Sequence, residues 1–253
     1  MQDTFAITIV FIVISTVVGA FIKGRTRDRC LKGFSGYPVT LEKKDGKYAW
    51  GKLHVENSGL ELSYSEPYVD AKGDHVEMSY VLYKSEYGDI RALVRYVDEL
   101  DAKLQTSRLR DFKKSRNPGW YSLLARRVRN VFGTVRDSII EVVNLFVGRA
   151  KAAMPAGKML EGQDKYTSAL QQQAITTIGT SYEPILERYI GRKVVLALMG
   201  SEEKREYSGI LKDYTTEFIT VLDTEYKGSG TEESRKADLV VPRSASVIRH
   251  SGE

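Results

Sequence analysis

Cysteine is almost missing from this 253-residue chain. Cys30 stands alone, so no disulfide can close within it and no cysteine-built zinc site is available. Only three histidines are present, His54, His75 and His250, which leaves little for metal binding or acid–base chemistry. Neither a GxxxxGK[ST] loop nor a GxGxxG turn follows a strand-like run, and Gly228-Ser229-Gly230 reads as flexible linker in a polar loop. No GxSxG elbow occurs. His54 and His75 each have a glutamate two positions on, Glu56 and Glu77, a pattern that solvated strand residues satisfy as readily as metal ligands. The acids Glu66, Asp70 and Asp74 are too irregularly spaced for a calcium loop. These absences argue against an enzyme: no catalytic residue, cofactor or metal site is assigned.

What is present is an ordinary globular composition, 42% hydrophobic and 28% charged with a net charge of +5. One stretch departs from it. Phe5 to Ile22 is uncharged and as a helix would span about 27 Å, close to the hydrocarbon thickness of a bilayer. Phe5, Ile9, Phe11, Ile14, Val18, Phe21 and Ile22 form the expected transmembrane anchor. Lys23, Arg25, Arg27 and Arg29 follow it, whereas no Lys or Arg precedes it. By the positive-inside rule the bulk of the chain is then cytoplasmic and the N-terminus outside, in a single-pass inner (cytoplasmic) membrane protein. Cys30 sits on the reducing side, where a lone thiol belongs.

Beyond the anchor, residues 36–83 alternate apolar and polar, with turn signals at Asp45-Gly46 and Asn57-Ser58-Gly59, which predicts short strands of a small barrel or sandwich. Ile90, Leu93, Val94, Val97, Leu100 and Leu104 fit a helical period and predict a helix over 86–104. Between Lys103 and Arg129 lie nine basic residues and one acid, Asp111. Residues 120–152 carry an apolar stripe from Leu124 through Val128, Val131, Val135, Ile139 and Val142 to Phe146, opposite an arginine-rich face. That predicts a long amphipathic helix, fit either for a lipid interface or for a helical bundle. Arg108, Arg110, Lys113, Lys114, Arg116, Trp120, Arg126 and Arg127 are the candidate lipid or partner contacts, since basic groups near an anionic surface each contribute about 1 kcal/mol. Further helix is predicted over 158–175 and 182–190, and strands return over 191–250.

The two β regions echo each other. Gly36, Val39, Leu41, Gly51 and Leu53 match Gly191, Val194, Leu196, Gly209 and Leu211 in order, and Leu60 and Phe218 each come seven positions after the second leucine. The later copy, with Gly209, Leu211, Phe218 and Leu222 in place, resembles the first half of the motif of Sm-like barrels, a pattern shared with SH3-like barrels. The resemblance covers about 60 residues and implies a fold. Thr215 and Ile219 stand where RNA-binding Sm proteins carry Asp and Asn, and the second-half Arg-Gly or Lys-Gly is missing near Arg243, so nucleic-acid binding is not implied.

The expected architecture is α+β. It has an anchor with its basic flank over 1–32, a barrel-like unit over 33–85, a helical region over 86–190 and a second barrel-like, Sm-like unit over 191–253. The expected role is a membrane-anchored scaffold, a subunit of an oligomeric membrane-associated complex whose partners are the bilayer and further copies or other subunits. The alternatives are an accessory subunit of a larger energy-converting membrane complex, a channel-like ring, or a nucleic-acid-binding Sm-like protein.

Overall fold

A computed structural model describes residues 27–69, 76–116, 183–199, 205–228 and 233–251. Asp28 starts the first element: its carboxylate accepts from the backbone N–H groups of Cys30 and Leu31 (2.8 and 3.2 Å) and caps the short helix α1, Arg29–Lys32. Four strands follow as a meander: β1 (Pro38–Lys43), β2 (Tyr48–Val55), β3 (Gly59–Val69) and β4 (Val76–Tyr83). The β1–β2 turn is the Asp45-Gly46 signal itself, with Gly46 at φ +81° and the Lys47 N–H donating to the Asp45 carboxylate at 3.1 Å. A 3-10 turn, Lys84–Asp89, leads into β5 (Ile90–Tyr96), which pairs back on β1. Helix α2 (Ala102–Arg116) comes next, and later the short helix α3 (Pro184–Tyr189).

The second unit repeats the plan. β6 (Lys193–Leu198), β7 (Arg205–Tyr214), β8 (Phe218–Tyr226) and β9 (Arg235–Pro242) form a meander. A 3-10 turn, Arg243–Ala245, leads to β10 (Ser246–Ser251), which returns to β6. The glycines of the sequence echo sit at matched points. Gly36 and Gly191 have φ of +87° and +77°, conformations open to glycine. Their N–H groups donate to Leu53 and Leu211 at 2.8 Å each, and those leucines donate back to Tyr37 and Arg192 at 3.0 Å each.

The units are joined rather than separate. β5 pairs antiparallel with β9, giving one ten-stranded sheet in the order β10-β6-β7-β8-β9-β5-β1-β2-β3-β4. Side chains alternate faces along a strand, and the joined strands use both. Ile90 and Leu93 of β5 with Val240 of β9 enter a first core with Leu31, Phe34 and Leu53. Ala92 and Val94 of β5 with Leu239 and Val241 of β9 enter a second with Leu196 and Leu211. The two cores therefore lie on opposite faces of the shared strands.

Several expectations are corrected. Among the described residues, the α+β plan of two barrels flanking a helical region gives way to a single antiparallel sheet with a few short helices. Residues 90–96, read as helix, are strand β5. A strand buried on both faces loses its polar alternation, so its apolar run passed for a helical period. Among the described residues no helix is long and apolar enough to cross a membrane; α2, the longest, has 15 residues and is rich in charge. The single-pass anchor and the inner-membrane placement thus find no support in this structure. The run Phe5–Ile22, the flank residues Lys23 and Arg25, and the long helix over 120–152 with Trp120, Arg126 and Arg127 lie outside the described residues. So does the helix predicted over 158–175.

Candidate functional site at the seam between the units

Among the described residues, a buried cluster of charge lies where β5 meets β9. Arg95 and Asp238 face each other directly across the seam and both are fully buried. Asp238 Oδ2 accepts from Arg95 Nε (3.0 Å) and Nη2 (2.7 Å), and also from Arg108 Nε of α2 (2.7 Å). Its Oδ1 accepts from Arg108 Nη2 and from the Asp223 N–H, each at 2.8 Å. Asp223 supplies that donor because it sits in a β8 bulge at φ 58°, a left-handed conformation that aspartate tolerates. Five hydrogen bonds converge on one carboxylate. Burial pushes the Asp238 carboxyl upward, but the Arg108 hydrogen bond and the two guanidinium charges outweigh it and hold the group below the usual carboxylate range. Arg95 is flanked by the rings of Phe34 and Tyr37, each 4.3 Å from its guanidinium carbon, a weakly hydrated cation over aromatic faces.

A second polar contact crosses the seam on the opposite face. Glu42 of β1, buried, accepts from the Tyr226 hydroxyl of β8 and is paired with Arg91 at 3.3 Å. Burial and the neighbouring Glu42 carboxylate raise the Tyr226 phenol far above its ordinary value, so it stays a donor. Tyr207 packs against Tyr226 with centroids 4.9 Å apart. Each face of the seam therefore has its own buried polar tie between the units. The arrangement holds and orients: five hydrogen bonds fix the Asp238 carboxylate, and Tyr226 and Arg91 hold that of Glu42.

The residues singled out from sequence are dispersed. Arg108 is not at the surface but in the seam network, which corrects its reading as a lipid contact. Arg110, Lys113, Lys114 and Arg116 are exposed on α2. Arg27 pairs with Glu56 at 2.8 Å, and Arg29 donates to the Tyr214 carbonyl at 3.0 Å. Cys30 is 2% exposed, packed under the first core with its thiol pushed well up by burial. Phe218 belongs to the second unit but does not occupy the second core. It lies in the first, edge-on to Tyr87 at 5.4 Å, because a β7–β8 irregularity between Leu211 and Asp213 shifts the register by one. Among the described residues no group of His, Cys, Asp and Glu is placed to hold a metal ion.

Arg95, Asp238, Glu42 and Tyr226 were not found from sequence. The available signal was charge within two otherwise apolar runs, Arg91 and Arg95 in IRALVRY and Lys236 and Asp238 in KADLVVP. No protein-family model, curated protein or solved structure matches the chain.

Proposed function

We propose that the chain is a structural scaffold, a subunit of an oligomeric assembly built by joining sheet edges. The observation that carries this reading is the seam: two five-stranded units of the same plan are joined edge to edge, with buried polar ties on both faces. The Sm-like resemblance of residues 191–251 belongs to the same proposal. It is supported by the meander order in each unit, the short helix before it and the 3-10 turn before the fifth strand. Exposed apolar residues on both faces of β4 add weight: Val76, Met78, Val81 and Tyr83 are 48–69% exposed, and a long apolar edge strand invites pairing with another chain. The test is the native mass of the purified full-length chain by light scattering. The reading expects a particle of more than one 28.5 kDa chain; a lone monomer across the accessible concentration range would overturn it.

A further inference from the structure

We infer that the partner at the open sheet edges is a second copy of this chain, its β4 pairing antiparallel with β10 of the neighbour as β9 pairs with β5 within one molecule. The inference rests on the scaffold reading and names the partner it requires. Within a unit the fifth strand returns to the first, so β5 is to the first unit what β10 is to the second, and β9 is to the second what β4 is to the first. The internal seam joins a fifth strand to a fourth. Among the described residues the sheet ends on the remaining fourth strand, β4, and the remaining fifth, β10. One molecule thus presents both halves of a joint it already makes once.

The registers carry over residue by residue. Leu41 pairs with Leu93 as Leu196 pairs with Ile248, so Ile248 stands in the place of Leu93. Leu53 pairs with Leu62 as Leu211 pairs with Val221, which makes Leu62 and Val221 equivalent. From there Glu61–Val81 corresponds to Thr220–Val240, so Val81 stands in the place of Val240. In the seam Leu93 faces Val240; between copies Ile248 would face Val81. Val240, fully buried, delivers its side chain into the core of the other unit. Val81, its counterpart, is 48% exposed, as a residue is when the core it belongs in is on another molecule.

Hydrogen-bond phase agrees. The Lys84 N–H points inward to Ser58 (2.9 Å), whereas the Tyr83 N–H points outward and is met by Glu86 (3.0 Å). By strand alternation the Val81 N–H also points outward. On the other edge Ala245 is bonded inward to Met199 at 2.7 Å, which puts Val247 inward and Ile248 outward. β4 carries one charge, Glu77, and no proline, so neither clustered charge nor a missing N–H blunts this edge. Unlike edges make a head-to-tail contact, which closes into a ring or runs on as a filament according to the angle per copy.

The experiment uses full-length chains with Val81→Pro or Ile248→Pro, each of which removes one outward N–H and leaves the inner ladder intact. Val81→Lys serves as a second variant, placing a charge where the neighbour's core would be. Unchanged circular dichroism and melting verify the folds. The wild type is expected to form multiples of 28.5 kDa, each variant alone to remain monomeric, and an equimolar mixture of the two proline variants to form dimers and stop there, since each retains the edge that the other lacks. An assembled wild type whose mass none of the variants changes would overturn this joint while leaving the scaffold reading standing. Monomeric variants that fail to dimerise on mixing would overturn it as well. A wild type that is monomeric throughout would overturn both.

Discussion

Asp238 is the acceptor for two guanidiniums and a backbone amide, so its loss leaves more than one group stranded. Replacing it by alanine is expected to destabilise the fold by about 3–5 kcal/mol, the range for breaking a buried pair on one side, read from urea unfolding. Replacing Arg95, Arg108 and Asp238 together by Met, Met and Leu is expected to recover most of that loss, because no uncompensated charge then remains. The same carboxylate sets an acid limit. Its value is lowered in the folded chain, so its stabilisation is present above the unfolded carboxylate range of about 4 and is lost as pH falls through the lowered value. Asp28 works in the opposite sense, since burial raises it and protonation favours the fold there. Unfolding free energy followed from pH 7 downward should hold to about pH 5 and then decline; an Asp238→Ala chain should show a shallower decline below about pH 4. On the other face Tyr226→Phe removes the donor to buried Glu42 and is expected to cost about 1–3 kcal/mol by the same measurement.

Strands β2 and β7 each cross the strand that follows them closely at a glycine. A Cβ on Gly51 would lie 2.7 Å from the Ser63 carbonyl oxygen, and one on Gly209 would lie 2.6 Å from that of Leu222. Backbone cannot move aside as a side chain can. Gly51→Ala and Gly209→Ala are therefore each expected to cost about 1–3 kcal/mol in thermal or urea melts, although alanine is the smallest possible change. These glycines were legible in the sequence as an echo, and so were the hairpins: Asp45-Gly46 turned where it was read, and the alternating runs around it became β1 and β2. Local patterns write local structure. β5 was not legible because its surroundings come from residues far along the chain, and a strand covered on both faces shows no alternation to read. The seam was hidden for the same reason. Nothing near Arg95 indicates that its counter-ion is 143 positions away, and nothing near Phe218 indicates that it fills the core of the other unit.

Because β5 and β9 line both cores, the two units cannot lose their interiors independently. Heating is expected to give one cooperative transition by calorimetry, with the calorimetric and van't Hoff enthalpies equal; two resolved transitions would show the units to be separable. Cys30 offers a second reading of the whole fold. Its thiol is buried and its value raised, so alkylation should be slow in the native chain and should accelerate in step with global unfolding. The Arg95–Asp238 tie also has a consequence in time. Arg95 is synthesised 143 residues before its carboxylate partner, roughly 7–30 seconds at bacterial-to-eukaryotic elongation rates. Throughout that interval the first unit exists with a bare edge and a guanidinium that has no buried counter-ion. On a crowded polysome, the β9 of a chain just ahead is chemically the same as the one still to come. Synthesis rate and spacing between ribosomes therefore decide how often a half-made molecule closes on itself and how often it closes on its neighbour.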